Sequence, residues 1–203
     1  MPKKHIYVDV DDVISKTTET YTQVLEEEFG RTVAFENLTT FDLKASFQLT
    51  DNEFHYFFDR VHQEDHLSGF DPVDGAVEGL KYWAGQGHSI EIVTGRPTSA
   101  MEVTLAWLAT HGVPYDEFIM VDKYNRPGND MSIAVSKKEL ARRSYDLAVE
   151  DSGDMALFLA DEMGVKTALI DRPWNRGCPD NVRVVRCRTW QDILPMTANT
   201  PIS

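Results

Sequence analysis

Asp9-Val10-Asp11-Asp12-Val13 puts three carboxylates within four residues. Like charges that close repel, so such a cluster suits a bound cation, or chemistry that uses two carboxyls in different protonation states. An acidic turn before a helix is the plainer alternative. A second acidic group, Glu150-Asp151-Ser152-Gly153-Asp154, could complete an oxygen shell for Mg²⁺, which takes a few carboxylates and keeps waters. Equally, Ser152 or Asp154 could cap a helix whose dipole favours acids. In Val93-Thr94-Gly95-Arg96-Pro97, a hydroxyl followed by glycine can offer O–H and N–H groups to a phosphate oxygen. A plain strand-to-helix turn would look the same. Lys137 and Lys138 lie thirteen and twelve residues before Glu150. A lysine there could neutralise a phosphoryl group as a point charge, although a solvated lysine is the usual case.

These pieces need elements to hold them. His5–Val10 reads as a short buried strand, and Thr17–Phe29 as a helix with Gly30 as its left-handed stop. Thr50-Asp51-Asn52-Glu53 is a capping-box pattern that predicts a helix to about Gln63. After the turn cluster Asp71–Gly75, residues Ala76, Val77, Leu80, Trp83 and Ala84 fall on one helical face. Strands are predicted at His88–Val93, Glu117–Val121, Asp146–Val149, Val165–Ile170 and Val182–Val185. Capping-box patterns at Ser99–Glu102 and Ser136–Glu139 predict two more helices, Asp154–Met163 a third, and Trp190 marks a short last one. Strands alternating with helices imply an α/β fold, a Rossmann-like parallel sheet flanked by helices. Ligands of such sheets sit beyond the carboxyl ends of the strands. That rule selects Asp9–Asp11, Thr94–Arg96, Asp122–Lys123, Glu150–Asp151 and Asp171–Arg172. The 61 residues Ile14–Asp74 break the rhythm and read as a small helical cap, 14–74, inserted after the first strand of a core made of 1–13 and 75–203.

The net charge of −13 over 203 residues disfavours a nucleic-acid polymer as partner, but not a small anionic substrate held by local cations. No apolar run approaches the ~20 residues of a membrane span, and no signal-peptide core fits before Asp9. Two cysteines, Cys178 and Cys187, suggest reduced thiols and a cytoplasmic setting. His55, His62 and His66 have near-helical spacing, but a zinc site would need a third partner that the spacing does not specify.

Taken together, the four motifs resemble those of the haloacid dehalogenase superfamily of hydrolases: Ile6–Val13, Ile90–Thr94, a lysine for which Lys137 fits best over Lys138 and Lys123, and Glu150-Asp151. Within it the chain is most similar to the 5'(3')-deoxyribonucleotidases and their bacterial relatives, through the short cap, Thr94-Gly95-Arg96-Pro97 and Asp171-Arg172-Pro173-Trp174-Asn175. Asp12 stands where many members carry glycine. The resemblance implies a phosphomonoesterase in which Asp9 attacks phosphorus and Asp11 acts as acid, then base. It also implies Mg²⁺ held by Asp9, the Asp11 carbonyl and Asp151, with Glu150 nearby, and phosphate held by Thr94, Gly95 and Lys137. Phe41, Phe47 and Arg96 are the candidate substrate contacts. A deoxynucleoside monophosphate is the expected substrate. Another small phosphate such as a sugar phosphate is the alternative, with an aspartate-phosphorylated signalling or binding domain further behind. Monomer and homodimer both remain open, and the residues give no role to Asp171–Asn175.

Overall fold

The computed structural model describes residues 2–123 and 128–198, so the outermost residues of the expected core segment and 124–127 lie outside it. Among the described residues, seven strands form one parallel sheet in the order β4-β3-β2-β1-β5-β6-β7. They are β1 (His5–Asp9), β2 (Ser89–Thr94), β3 (Glu117–Asp122), β4 (Ala134–Ser136), β5 (Leu147–Glu150), β6 (Lys166–Ile170) and β7 (Val184–Cys187). Helices α1 (Thr17–Phe29), α2 (Leu43–Ser46), α3 (Asp51–Val61) and α4 (Glu64–Leu67) all lie between β1 and β2. The others are α5 (Ala76–Gly85), α6 (Met101–Thr110), α7 (Lys137–Leu140), α8 (Gly153–Asp161) and α9 (Trp190–Ile193).

β1 is central and apolar on both faces, with Ile6, Tyr7 and Val8 fully buried, as a strand covered on both sides must be. The chain winds outward from β1 through β2 and β3 to β4, then crosses back to β5 on the other side of β1. The strand order therefore reverses between β1 and β5, which is where open parallel sheets bind ligands. Register does the rest. Asp9 pairs with Val93, so it abuts Thr94; Val8 pairs with Val149, so one residue further Asp9 meets Glu150.

Within the β1–β2 connection, the stretch carrying α1 to α4 leaves and returns through one narrow stalk, with α5 following it. Lys16 N–H donates to the Asp71 carbonyl at 2.8 Å and Val73 N–H to that of Ile14 at 2.9 Å, with Ser15 bridging Pro72. α1 ends at Gly30 in the left-handed region (φ 63°), as its sequence implies. α3 carries the full Thr50–Glu53 capping box. Phe47 and Phe57 are buried in an apolar cluster continuous with Val10 and Ile14 of the first motif loop. Trp190 in α9 reaches the same loop, donating from Nε1 to the Val13 carbonyl at 2.9 Å.

One expectation changes and one strand is new. Ser99 does not cap α6: Pro97 is extended and a 3₁₀ turn begins at Thr98, which puts Ser99 inside the turn rather than at the extended residue a cap requires. β4 has only three residues, too few to give a period, and so is not legible as a strand in the sequence.

Candidate active site

Asp9 ends β1 with its side chain 5% exposed. Its Oδ1 accepts from Lys123 Nζ at 2.7 Å, and the same ammonium donates to Glu150 Oε1 at 2.7 Å. Glu150 is fully buried. It also accepts from the Tyr7 hydroxyl at 2.9 Å and, through Oε2, from the N–H groups of Asp151 and Ser152 at 3.0 and 2.9 Å. Each of its oxygens therefore takes two hydrogen bonds. Asp9, Glu150 and Asp151 each bring a carboxylate oxygen within 4.8 Å of the others. Three carboxylates against one ammonium leave two negative charges uncompensated if all ionise. Burial, aggravated by Glu150, holds both the Asp9 and the Asp151 carboxyl well above the ordinary carboxylate range; Lys123 pulls Asp9 back only in part. An all-oxygen, anionic and buried set of this kind fits a hard divalent cation.

Asp11 stands apart from that triad and is held differently. Arg96 clamps it, Nη2 to Oδ1 at 2.7 Å and Nε to both oxygens at 3.0 and 3.3 Å, and Thr17 donates to Oδ1 at 2.6 Å. Burial pushes this carboxyl up, but the guanidinium and the hydroxyl outweigh it and leave Asp11 below its ordinary value. Two carboxyls two residues apart are thus driven in opposite directions, Asp9 up by burial and Asp11 down by its guanidinium clamp. Asp12 has φ 56° and turns its carboxylate onto Thr18, accepting from N at 3.0 Å and from Oγ1 at 2.5 Å. That cap-like role at the start of α1 accounts for an acid where the related pattern has glycine. Asp is among the few side-chain-bearing residues that enter the left-handed region readily.

Gly95 and Arg96 line the cavity above Asp9, together with Asp11, Asp12, Lys123 and Asp151. Thr94 is fully buried beside it, its Oγ1 accepting the Arg96 N–H at 3.1 Å. Lys137 lies elsewhere, its Nζ 4.4 Å over the Phe158 ring. The physical reason is strand order. Lys137 follows β4, three strands from β1 at about 4.8 Å per strand, whereas Lys123 follows β3, one strand nearer. The strand-end rule had already selected Lys123, and the resemblance left it open as the phosphate lysine beside Lys137 and Lys138. Lys138 is exposed.

The expected substrate contacts divide. Phe41 is 46% exposed and lines the mouth of the cavity with Leu43, Phe58 and His62. Phe47 is buried edge-on against Phe57, 5.3 Å between centroids, and belongs to the core. Arg96 is in the site, but its guanidinium is committed to Asp11 and Thr104 and packs 5.5 Å from Phe70. Of the histidines, His62 reaches the cavity wall, its Nδ1 2.7 Å from the Phe58 carbonyl, and no histidine joins a metal-type cluster among the described residues. Trp174 was not foreseen as a site residue; its Nε1 donates to Asp151 Oδ2 at 2.9 Å.

The fold is similar to that of a haloacid-dehalogenase-superfamily hydrolase from Geobacter sulfurreducens. That structure superposes with a TM-score of 0.60 at 15% identity, over 96% of each chain. The fold class is that of the haloacid-dehalogenase-like hydrolases. Within it, the family described as "5' nucleotidase, deoxy (Pyrimidine), cytosolic type C protein" matches residues 3–200, and the chain belongs to that family. Among its relatives is the protein named "Putative nucleotidase BH1399" of Halalkalibacterium halodurans, 26% identical over 190 residues, 94% of this chain and 90% of that protein. Another is the "Putative 5'(3')-deoxyribonucleotidase" of Chlorobaculum tepidum, 25% identical over 142 residues, 67% of this chain and 60% of that protein. No helix among the described residues is long and apolar enough to cross a membrane.

Proposed function

We propose that this chain is a Mg²⁺-dependent phosphomonoesterase for deoxynucleoside monophosphates, working through an aspartyl-phosphate on Asp9. The observation that carries this reading is the buried triad Asp9–Glu150–Asp151 bridged by Lys123, with a separately clamped Asp11 two residues from Asp9.

The ion would be held by Asp9, Asp151 and the Asp11 carbonyl, and when bound it would let two anions, carboxylate and phosphate, approach each other. Glu150, its oxygens already engaged, contributes charge and orients Lys123. Asp9 forms the bond to phosphorus as the bond to the leaving oxygen breaks. Asp11 gives that oxygen a proton, then takes one from the water that cleaves the aspartyl-phosphate. Arg96 and Thr17 fix the carboxyl that performs both transfers. Lys123 offsets charge on the phosphoryl oxygens, and Gly95 lines the same cavity.

Residues 14–74 act in this reading as a cap over the strand ends, attached by the Ile14–Lys16 and Asp71–Val73 stalk, and exclude water during the first step. The aromatic mouth, Phe41 and Phe58 with His62, suits the face of a nucleobase at about 1–3 kcal/mol per stack. The unpaired thiols of Cys178 and Cys187, together with the family's cytosolic description, support a cytoplasmic setting.

The test is phosphate release from a panel of deoxynucleotides, ribonucleotides and sugar phosphates, with Mg²⁺ and with EDTA. Deoxynucleotides should lead and EDTA should abolish turnover. Asp9→Asn should form no phosphoenzyme, and Asp11→Asn should lose about 10²–10⁴-fold while still forming it from an activated aryl phosphate. Full activity in EDTA, or normal turnover by Asp9→Asn, would overturn the reading.

A further inference from the structure

The segment Asp171–Asn175, which follows β6, makes contacts that a simple connection does not need. Its Arg172 donates twice to the Asp12 carbonyl, Nη2 at 2.6 Å and Nε at 3.1 Å, and so grips the first acidic loop. Asn175 Nδ2 donates to the backbone carbonyl of Asp151 at 2.7 Å, which grips the second. Trp174 Nε1 donates to the Asp151 side chain itself, at Oδ2. The indole is fixed in turn from outside the core, edge-on to Phe35 at 5.4 Å between centroids. Among the described residues this is the one hydrogen bond that the Asp151 carboxylate accepts, and its other oxygen, Oδ1, takes none.

We propose that Trp174 is a positioning residue that makes Asp151 a one-oxygen metal ligand and thereby selects Mg²⁺ over Ca²⁺. This rests on the reading of Asp151 as a metal ligand. A carboxylate with one oxygen pinned by a fixed N–H cannot rotate to present both. Mg²⁺ demands near-octahedral geometry and single oxygens, whereas Ca²⁺ readily accepts a carboxylate through both oxygens and a larger, looser shell. Hydrogen bonds that orient a ligand are worth about 10–100-fold in metal affinity. Trp174 also lines the substrate cavity, so the selector stands between the metal side of the site and the segment above it.

The experiment compares the whole protein with Trp174→Phe, which keeps a ring against Phe35 but has no N–H, and with Asp151→Asn. Mg²⁺ and Ca²⁺ affinities are read by calorimetry, with folding checked by thermal melting. Trp174→Phe should bind Mg²⁺ about 10–100-fold more weakly, lose less for Ca²⁺, and so narrow the ratio of the two. Asp151→Asn should lose both ions. A second reading is optical and uses the same variant. None of the other indole N–H groups donates to a carboxylate of the triad: Trp107 donates to the Phe70 carbonyl, Trp190 to that of Val13, and the Trp83 N–H is buried without a partner. A Mg²⁺-dependent change in tryptophan emission should therefore come from Trp174 and vanish in Trp174→Phe. An unchanged Mg²⁺/Ca²⁺ ratio in a folded Trp174→Phe overturns the proposal while leaving the metal site standing. Stoichiometric binding that survives Asp151→Asn, or none in the unmodified protein, overturns both.

Discussion

Replacing Lys123 by methionine removes the only cation that touches both Asp9 and Glu150 among the described residues, and keeps nearly the same side-chain length. The lysine side chain is 5% exposed, Asp9 5% and Glu150 0%, so water screens little of what is lost. Breaking a buried pair by removing one partner costs about 3–5 kcal/mol, because the other charge stays buried. For a domain of this size each kcal/mol moves the melting temperature by about 2–4 °C, so metal-free Lys123→Met should melt about 6–20 °C lower. Mg²⁺ neutralises the same carboxylates, and at a hundredfold excess over its dissociation constant returns about 2.7 kcal/mol. The variant should therefore regain much of its stability with the ion while its kcat stays about 10²–10³-fold down, the usual loss when one group facing a developing oxyanion is removed. Lys137→Met is the control: it removes a contact with the Phe158 ring worth about 0.5–1 kcal/mol and should leave kcat unchanged. Differential scanning fluorimetry with and without Mg²⁺, beside steady-state kinetics, reads all four quantities. Normal kcat in Lys123→Met with a loss in Lys137→Met would refute the placement of the phosphate lysine.

Three further outcomes follow from the site and its surroundings. Phe41→Ala should raise KM for deoxynucleotides and leave an aryl phosphate unaffected, since lost stacking removes binding common to ground and transition states; Phe47→Ala should instead cost about 3–5 kcal/mol of stability, as a buried phenylalanine does. Burial raises the Asp12 carboxyl from 3.8 to about 6, and a carboxyl whose folded value is raised stabilises below its unfolded value and loses that contribution as pH rises through the folded one. Melting temperatures of metal-free Asp12→Asn, measured against the unmodified protein from pH 4 to pH 7, should thus shift in favour of the variant between about pH 4 and pH 6; a pH-independent difference would refute the titration.

Much of the molecule is determined by local sequence. Periodicity and turn residues fix α1 with its Gly30 stop, the capping box of α3 and the central strand, because these depend on neighbours within a few residues. The strand-end rule names Asp9, Asp11, Glu150 and Asp151 without coordinates, because strand ends and acidic pairs are both written in the chain. Which lysine reaches Asp9 is not written there. Lys123 and Lys137 each follow a strand, and only the sheet order brings the first to 2.7 Å from Asp9 and leaves the second over Phe158. Phe41 and Phe47 are equally aromatic neighbours in sequence; packing against Phe57 buries one and leaves the other at the cavity mouth. Arg96 could have faced substrate, but a part-buried Asp11–Arg96 contact forms across 85 residues and commits it. The role of Asp171–Asn175 needed the structure most, because a hydrogen bond from Trp174 to Asp151 spans 23 residues, and distances of that kind are settled by packing and not by any local preference of the chain.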